Sequence, residues 1–274
     1  MRKRYYAVEK IKMQYIEYGK QSKEVIILLH GGGLSWWNYQ EVAELLQKRY
    51  HVILPILNGH AGTDKHFLSI EDNANDIITF IDEHYDGIVL AIGGLSLGGQ
   101  ILVEMLSQRK DICKYGIIES ALVIPMKTIH KLIRPMFGMC YGLIKKKWFS
   151  KLQFLYLKIP KELYWHYYQD TCKIEKSDMI SFLEANSAYY MKECLKEAVA
   201  QTYIVVGRKE QRKMIASANL LHKAIKNSQM KILEGYYHGE MSMKHAKEYV
   251  KLLEEVVNKS DGTERIGYEK KDTF

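Results

Sequence analysis

The chain alternates short apolar runs with longer stretches in which apolar residues recur every three or four positions. Val25–Leu29 and His51–Leu57 are near-continuous apolar runs, the pattern of strands buried on both faces. Between them, 38–47 carries apolar residues at helical spacing. Residues 70–85 repeat that spacing, with Ile77, Ile78 and Ile81 on one face. Ser69 stands where an N-cap is expected, because its hydroxyl can accept from a first-turn amide. Further strands are predicted at 87–92, 115–118, 203–206 and 231–233, and helices over 100–106, 213–225 and 242–257. Ahead of them all, Tyr5–Val8 and Met13–Tyr18 read as two strands of an opening antiparallel meander. Alternating β and α patterns imply a mainly parallel, eight-stranded α/β sheet with helices on both faces.

One region breaks the alternation. Residues 125–200 are helical in pattern, dense in aromatics, and hold no strand candidate of comparable quality. They are expected to form a helical cap inserted between two halves of the core, 1–124 and 201–258, with a polar tail over 259–274. The cap also concentrates charge. The whole chain carries a net +8, and 125–200 contain thirteen lysines and arginines against seven acids. A lysine-rich solvated surface is the plain reading of that excess. Attraction of an anionic substrate or contact with an anionic membrane surface are the sharper ones. Nucleic acid is not an expected partner, because the excess is lysine rather than arginine and no recognition motif accompanies it.

Hydrophobic and charged contents of 47% and 26% are those of a globular protein with a sizeable core. No apolar run approaches the ~20 residues of a membrane span. The basic start Met1–Arg4 is followed by Glu9, Lys10 and Lys12 rather than an apolar stretch, so no signal peptide is read and a cytoplasmic location is expected. Cys113, Cys140, Cys172 and Cys194 are widely spaced and form no C-x-x-C, so neither a metal centre nor a redox motif is expected.

The chemistry centres on Gly94-Leu95-Ser96-Leu97-Gly98, a G-x-S-x-G between a predicted strand and a predicted helix. A strand turning sharply into a helix leaves no room for side chains two positions either side of the turn residue, and lifts Ser96 above the sheet. A serine hydroxyl needs an adjacent base, held in turn by an acid. In a parallel sheet these groups gather at the carboxyl ends of strands. His238 follows the last strand directly, and Glu210 follows the penultimate one. Glu210 also lies in the charged run 208–212, which a solvated loop would equally carry, and Glu119, at the end of the strand next to the elbow, is the rival acid. His30-Gly31-Gly32-Gly33 follows another strand and can present backbone amides. With the residue after the nucleophile it would form an oxyanion hole from the Gly32 and Leu97 amides. A phosphate-cradling role is set aside, because no G-K-[ST] or G-x-G-x-x-G accompanies the glycines.

Taken together, Leu29–Gly33, Asn58–Thr63, Gly94–Gly98, Val206–Glu210 and His238–Gly239 resemble, in family order, the motifs of the α/β-hydrolase fold family, in its small capped members. The resemblance covers about Tyr5 to Val257. It implies a triad of Ser96, Glu210 and His238 beneath a helical cap, and excludes relatives with an aspartate nucleophile. Glu210 departs from the aspartate usual at its position, and the cap matches no motif, so substrate identity does not carry over.

The expected activity is hydrolysis of a carboxylic ester or thioester through an acyl-enzyme, with no metal or organic cofactor. Lactone or C–C bond hydrolysis and acyl transfer use the same triad. A non-catalytic binding protein of the same fold and a lipase-like enzyme at a membrane surface are the competing classes. The latter rests on the Lys145–Phe149 mixture of cations and aromatics. Gly33, Trp36, Trp37, His60, Trp148 and Trp165 are the candidates to line a substrate pocket, and the partner is a small molecule with an apolar acyl or aromatic part.

Overall fold

The computed structural model describes residues 13–260. Seven strands form one sheet: β1 (Tyr15–Tyr18), β2 (Val25–Leu29), β3 (His51–Pro55), β4 (Val89–Leu95), β5 (Cys113–Glu119), β6 (Gln201–Gly207) and β7 (Ser228–Leu233), in spatial order β1-β3-β2-β4-β5-β6-β7. Only β1 runs antiparallel, against β3. Seven strands stand where eight were expected. The remaining one, Tyr5–Val8, lies outside the described residues.

The period-two geometry of a strand divides its side chains between two faces. Ile27 and Leu29 join Ile53, Ile92 and Ile118 in one core, and Ile26 and Leu28 join Val52, Ala91 and Ile117 in the other. Helices α2 (Ile70–His84), α3 (Leu97–Gln108) and α8 (Arg212–Ala224) cover the first face through Ile77, Ile81, Ile101, Leu102 and Leu221. Helices α1 (Gln40–Leu46) and α10 (Ala246–Ser260) cover the second through Val42, Leu46, Tyr249 and Leu253. Ser69 caps α2, its side chain accepting from Asp72 N at 3.0 Å.

Two local differences from the sequence pattern have physical causes. The segment 38–47 begins as a 3-10 turn, Trp36–Tyr39, before α1 starts at Gln40, because Trp37 and Tyr39 are drawn into the core. The stretch 242–257 is two helices, α9 (Glu240–Lys244) and α10, separated at His245. The first turn of α9 is held by the buried Glu119 carboxylate, which accepts from Met241 N at 3.1 Å and Ser242 N at 3.3 Å.

Between β5 and β6 the chain leaves the sheet for α4 (Lys127–Ile144), α5 (Lys147–Tyr156), α6 (Tyr164–Lys173) and α7 (Lys176–Ala188). Helix α7 is fastened to the core from α3: Gln100 Nε2 donates to the carbonyls of Leu122 (2.7 Å) and Asn186 (2.9 Å), and Asn186 Nδ2 returns a bond to Gln100 Oε1 at 2.8 Å.

Candidate active site

Register places the chemistry. Leu95 pairs with Glu119, Glu119 with Val205, and Gly207 with Leu233, so β4, β5, β6 and β7 end side by side. Ser96, Ser120, Glu210 and His238 follow those four ends in turn.

Ser96 has φ 53° and ψ −109°, a conformation that a non-glycine residue adopts only when its surroundings impose it. Its amide donates to Glu119 O at 2.9 Å and its carbonyl accepts from Gln100 N at 2.9 Å, which ties the elbow into both sheet and helix. The flanking glycines are sterically required: a Cβ at Gly94 would meet the Gly98 carbonyl, and one at Gly98 would meet the Leu29 carbonyl.

The structure joins His238 and Glu210. His238 Nδ1 donates to Glu210 Oε2 at 2.8 Å, and the acid's side chain is 1% exposed against 45% for the histidine. The other carboxylate oxygen, Oε1, accepts from Gly207 N at 2.6 Å and Ser120 Oγ at 2.8 Å. Three donors therefore hold this carboxylate in one orientation, and its burial preserves the strength of each bond. The contribution of Ser120 was not anticipated. Its positive φ of 55°, immediately after β5, turns it toward this role, and no sequence motif signals it.

Glu119 is placed differently. It is 2% exposed and its Oε1 serves the α9 amides, while Oε2 has no hydrogen-bond partner among the described residues. Burial pushes its carboxyl up to about 7. It makes no hydrogen bond to His238 among the described residues.

The glycine loop after β2 is braced by two neutral histidines. Gly31 N donates to Asn38 Oδ1 (3.2 Å), Gly33 N to His60 Nε2 (3.0 Å) and Leu34 N to Gly31 O (3.1 Å). Gly32 N has no protein acceptor among the described residues, nor has Leu97 N at the start of α3. His60 donates from Nδ1 to Asn58 O at 3.1 Å, so its Nε2 must be the acceptor. His30 mirrors it, bonding Gly31 O through Nδ1 (2.8 Å) and accepting from Leu57 N through Nε2 (3.1 Å). Burial is the main reason both rings stay uncharged: it pushes His60 down to about 4 and His30 well below the usual histidine range. The loops after β2 and β3 are thus cross-linked by reciprocal bonds.

A cavity of about 170 Å³ opens at the elbow, lined by Ser96, His238, Gly32 and Leu97, and closed from above by Leu157, Ile159, Phe182, Leu183 and Asn186. Gly33, Trp36, Trp37, His60, Trp148 and Trp165 do not line it. His60 is 2% exposed and stacks on Phe182 at 4.7 Å, supporting a wall residue from behind. Trp37 is buried, its Nε1 donating to Asp170 Oδ2 at 2.8 Å, whereas Trp148 and Trp165 are 63% and 57% exposed on the outside. The residues of 125–200 that do reach the cavity are Leu157, Ile159, Phe182, Leu183 and Asn186, none of them a sequence candidate. A larger cleft of about 620 Å³, lined by Val25, Val89 and Lys114 among others, lies at the opposite strand ends, away from Ser96.

Among the described residues, the ligand-type atoms of His66, Glu175 and Asp178 also come together. Asp178 there already accepts from His66 Nδ1 (3.0 Å) and Phe67 N (2.9 Å), and none of the three lines the Ser96 cavity.

A family model of the alpha/beta hydrolase fold matches residues 24–141. With the sheet order and the elbow, this establishes that the chain has the α/β-hydrolase fold. Among solved structures it is similar to an esterase from Exiguobacterium antarcticum (18% identity, 92% of this chain and 97% of that one, TM-score 0.77). It is also similar to a thermophilic esterase from Thermogutta terrifontis (15%, 93% and 96%, 0.76) and to the enol-lactonase from Burkholderia xenovorans LB400 (15%, 93% and 100%, 0.76). No curated protein sequence matches the chain. No helix among the described residues is long and apolar enough to cross a membrane.

Proposed function

We propose that the protein is a serine hydrolase that cleaves a small-molecule carboxylic ester or thioester. The observation that carries this reading is one cavity lined by Ser96, His238 and two residues with unpartnered amides, backed by the buried Glu210 that orients His238. Ser96 Oγ attacks the acyl carbon while His238 Nε2 takes its proton. The Gly32 and Leu97 amides receive the negative charge that develops on the carbonyl oxygen, each such donor contributing about 3 kcal/mol to the transition state. His238 returns the proton to the leaving alcohol or thiol as the C–O or C–S bond breaks. Water, deprotonated by the same histidine, then attacks the acyl-Ser96 ester, releasing the acid and regenerating the hydroxyl. Glu210, hydrogen-bonded to Nδ1, orients the ring and stabilises the transient imidazolium.

Intact-mass analysis after exposure to a fluorophosphonate tests this reading. The native protein should gain one adduct, and Ser96→Ala none. Absence of an adduct on the native protein would remove the nucleophilic mechanism and leave a ligand-binding role for the cavity.

A further inference from the structure

The cap carries features that catalysis at Ser96 does not use. From Ser120 through Lys161 the sequence holds nine lysines and arginines and no aspartate or glutamate. Helix α5 lies inside this anion-free stretch. It buries Ser150 and Phe154 and leaves Trp148, Leu152, Leu155 and Tyr156 between 60% and 79% exposed. Positions 148, 152, 155 and 156 share one helix face. A shallow groove of about 750 Å³ opens there, its walls made by Phe149, Leu152, Leu155, Tyr156 and Leu157 with Gln153 as the one amide.

Cations accompany this face. Lys145, Lys146, Lys147, Lys151 and Lys158 form no ion pair with a carboxylate among the described residues. Lys147 instead lies over the Trp165 ring at 5.4 Å, and Lys158 over Tyr237 at 5.4 Å. An apolar face with exposed tryptophan and tyrosine, accompanied by unpaired lysines with long apolar stems, matches the chemistry of an anionic bilayer surface. Acyl chains receive the side chains, headgroups receive the ammonium groups, and the aromatics sit at the boundary.

The groove and the catalytic cavity share a wall. Leu157 lines both. A cavity of about 170 Å³ is close in size to one that holds benzene, so it accepts only the first carbons of an acyl chain. Leu157 is therefore where a longer chain would pass from the cavity to the groove.

We propose that the α5 face docks on an anionic phospholipid bilayer and that the substrate is a long-chain acyl ester taken from that surface past Leu157 to Ser96. The substrate half of this statement rests on the hydrolase reading above; the docking half does not. Flotation with phosphatidylcholine vesicles, with and without about one third phosphatidylglycerol, tests the docking at ~0.1 M salt, where surface charge is only partly screened. Each lysine close to such a surface raises partitioning about fivefold. Wild-type protein should float with the anionic vesicles and stay behind with the neutral ones. Lys146→Glu with Lys151→Glu should lower anionic partitioning roughly 25-fold or more. Leu152→Glu with Leu155→Glu should abolish flotation. Unchanged thermal unfolding of both double variants, whose substituted side chains are solvent-exposed, verifies that they fold. Failure of the wild type to float overturns docking. So does equal flotation on both vesicle types, and so does flotation that survives the leucine substitutions, since a different surface would then carry the contact. Fluorophosphonate labelling in parallel separates the two halves: labelled protein that does not float overturns docking alone, and protein that floats unlabelled overturns the substrate half alone.

Discussion

Replacing Glu210 by glutamine exchanges one carboxylate oxygen for an amide nitrogen and should stop the reaction for a reason the geometry supplies. Gly207 N is a fixed backbone donor 2.6 Å from Oε1, so the glutamine carbonyl must occupy that position. The amide nitrogen then replaces Oε2, 2.8 Å from His238 Nδ1, and presents a donor where an acceptor stood. His238 can answer only by keeping its Nδ1 lone pair free and carrying its proton on Nε2, the atom that must receive the serine proton. The second loss is electrostatic. A carboxylate about 4 Å from the imidazolium charge contributes roughly 4 kcal/mol at an effective dielectric of 20. His238 is half-exposed, which lowers this toward about 3 kcal/mol, or about two decades in rate. With the wrong tautomer added, kcat on a chromogenic short-chain ester should fall by at least about 10³, with KM little changed because binding of the ground state is untouched. Retention of kcat within about tenfold of wild type would refute the reasoning and return Glu119 to consideration as the acid.

Two further outcomes follow from buried titratable groups. Glu119→Gln should keep activity within about tenfold, since its partners are the α9 amides rather than His238. Because burial raises the Glu119 carboxyl to about 7, the folded state binds more protons than the unfolded state between about pH 4.5 and pH 7, and wild-type stability falls as pH rises through that range. Chemical denaturation should therefore show the variant gaining about 2 kcal/mol on wild type between pH 5 and pH 8; a constant difference would show that Glu119 does not titrate there. His60 works with the opposite sign. Its folded value of about 4 lies below the ordinary 6.5, so its stabilisation is full above 6.5 and is lost as pH falls toward 4. His60→Gln keeps an acceptor for Gly33 N and should remove about 2 kcal/mol of wild-type pH dependence between pH 7 and pH 5, read by the same denaturation series. An unaltered slope would mean that His60 is not held neutral.

Elements whose partners are close in sequence, or whose composition is dictated by backbone sterics, are legible in the sequence alone. Glycines at 94 and 98 are demanded by carbonyls that any strand-to-helix elbow brings near, so the motif announces itself. A five-residue, β-branched apolar run such as Val25–Leu29 is too short for a typical helix and fits an interior strand of a sheet covered on both sides, and Ser69 acts on an amide three residues away. Placing Glu210 and His238 after the last two strands likewise needs only strand order, because parallel neighbours deliver their ends to the same edge.

Long-range packing determined the remainder. Ser120 and Gly207 orient Glu210 through bonds whose direction depends on sheet register and on one positive-φ residue, neither of which a linear pattern encodes. The partition of roles between Glu119 and Glu210 depends on which carboxylate faces α9 and which faces His238, a matter of a few ångströms between groups with the same charge. His60 lay in a plausible site loop and proved to be a brace, since only the fold brings Gly33 N to its Nε2. The helices between β5 and β6 show the contrast most plainly. Helical spacing and aromatic content point to helices there, but which of their rings turn inward depends on how α4 to α7 settle on the core, and that docking places Leu157 and Phe182 on the cavity at Ser96 and leaves Trp148 and Trp165 outside.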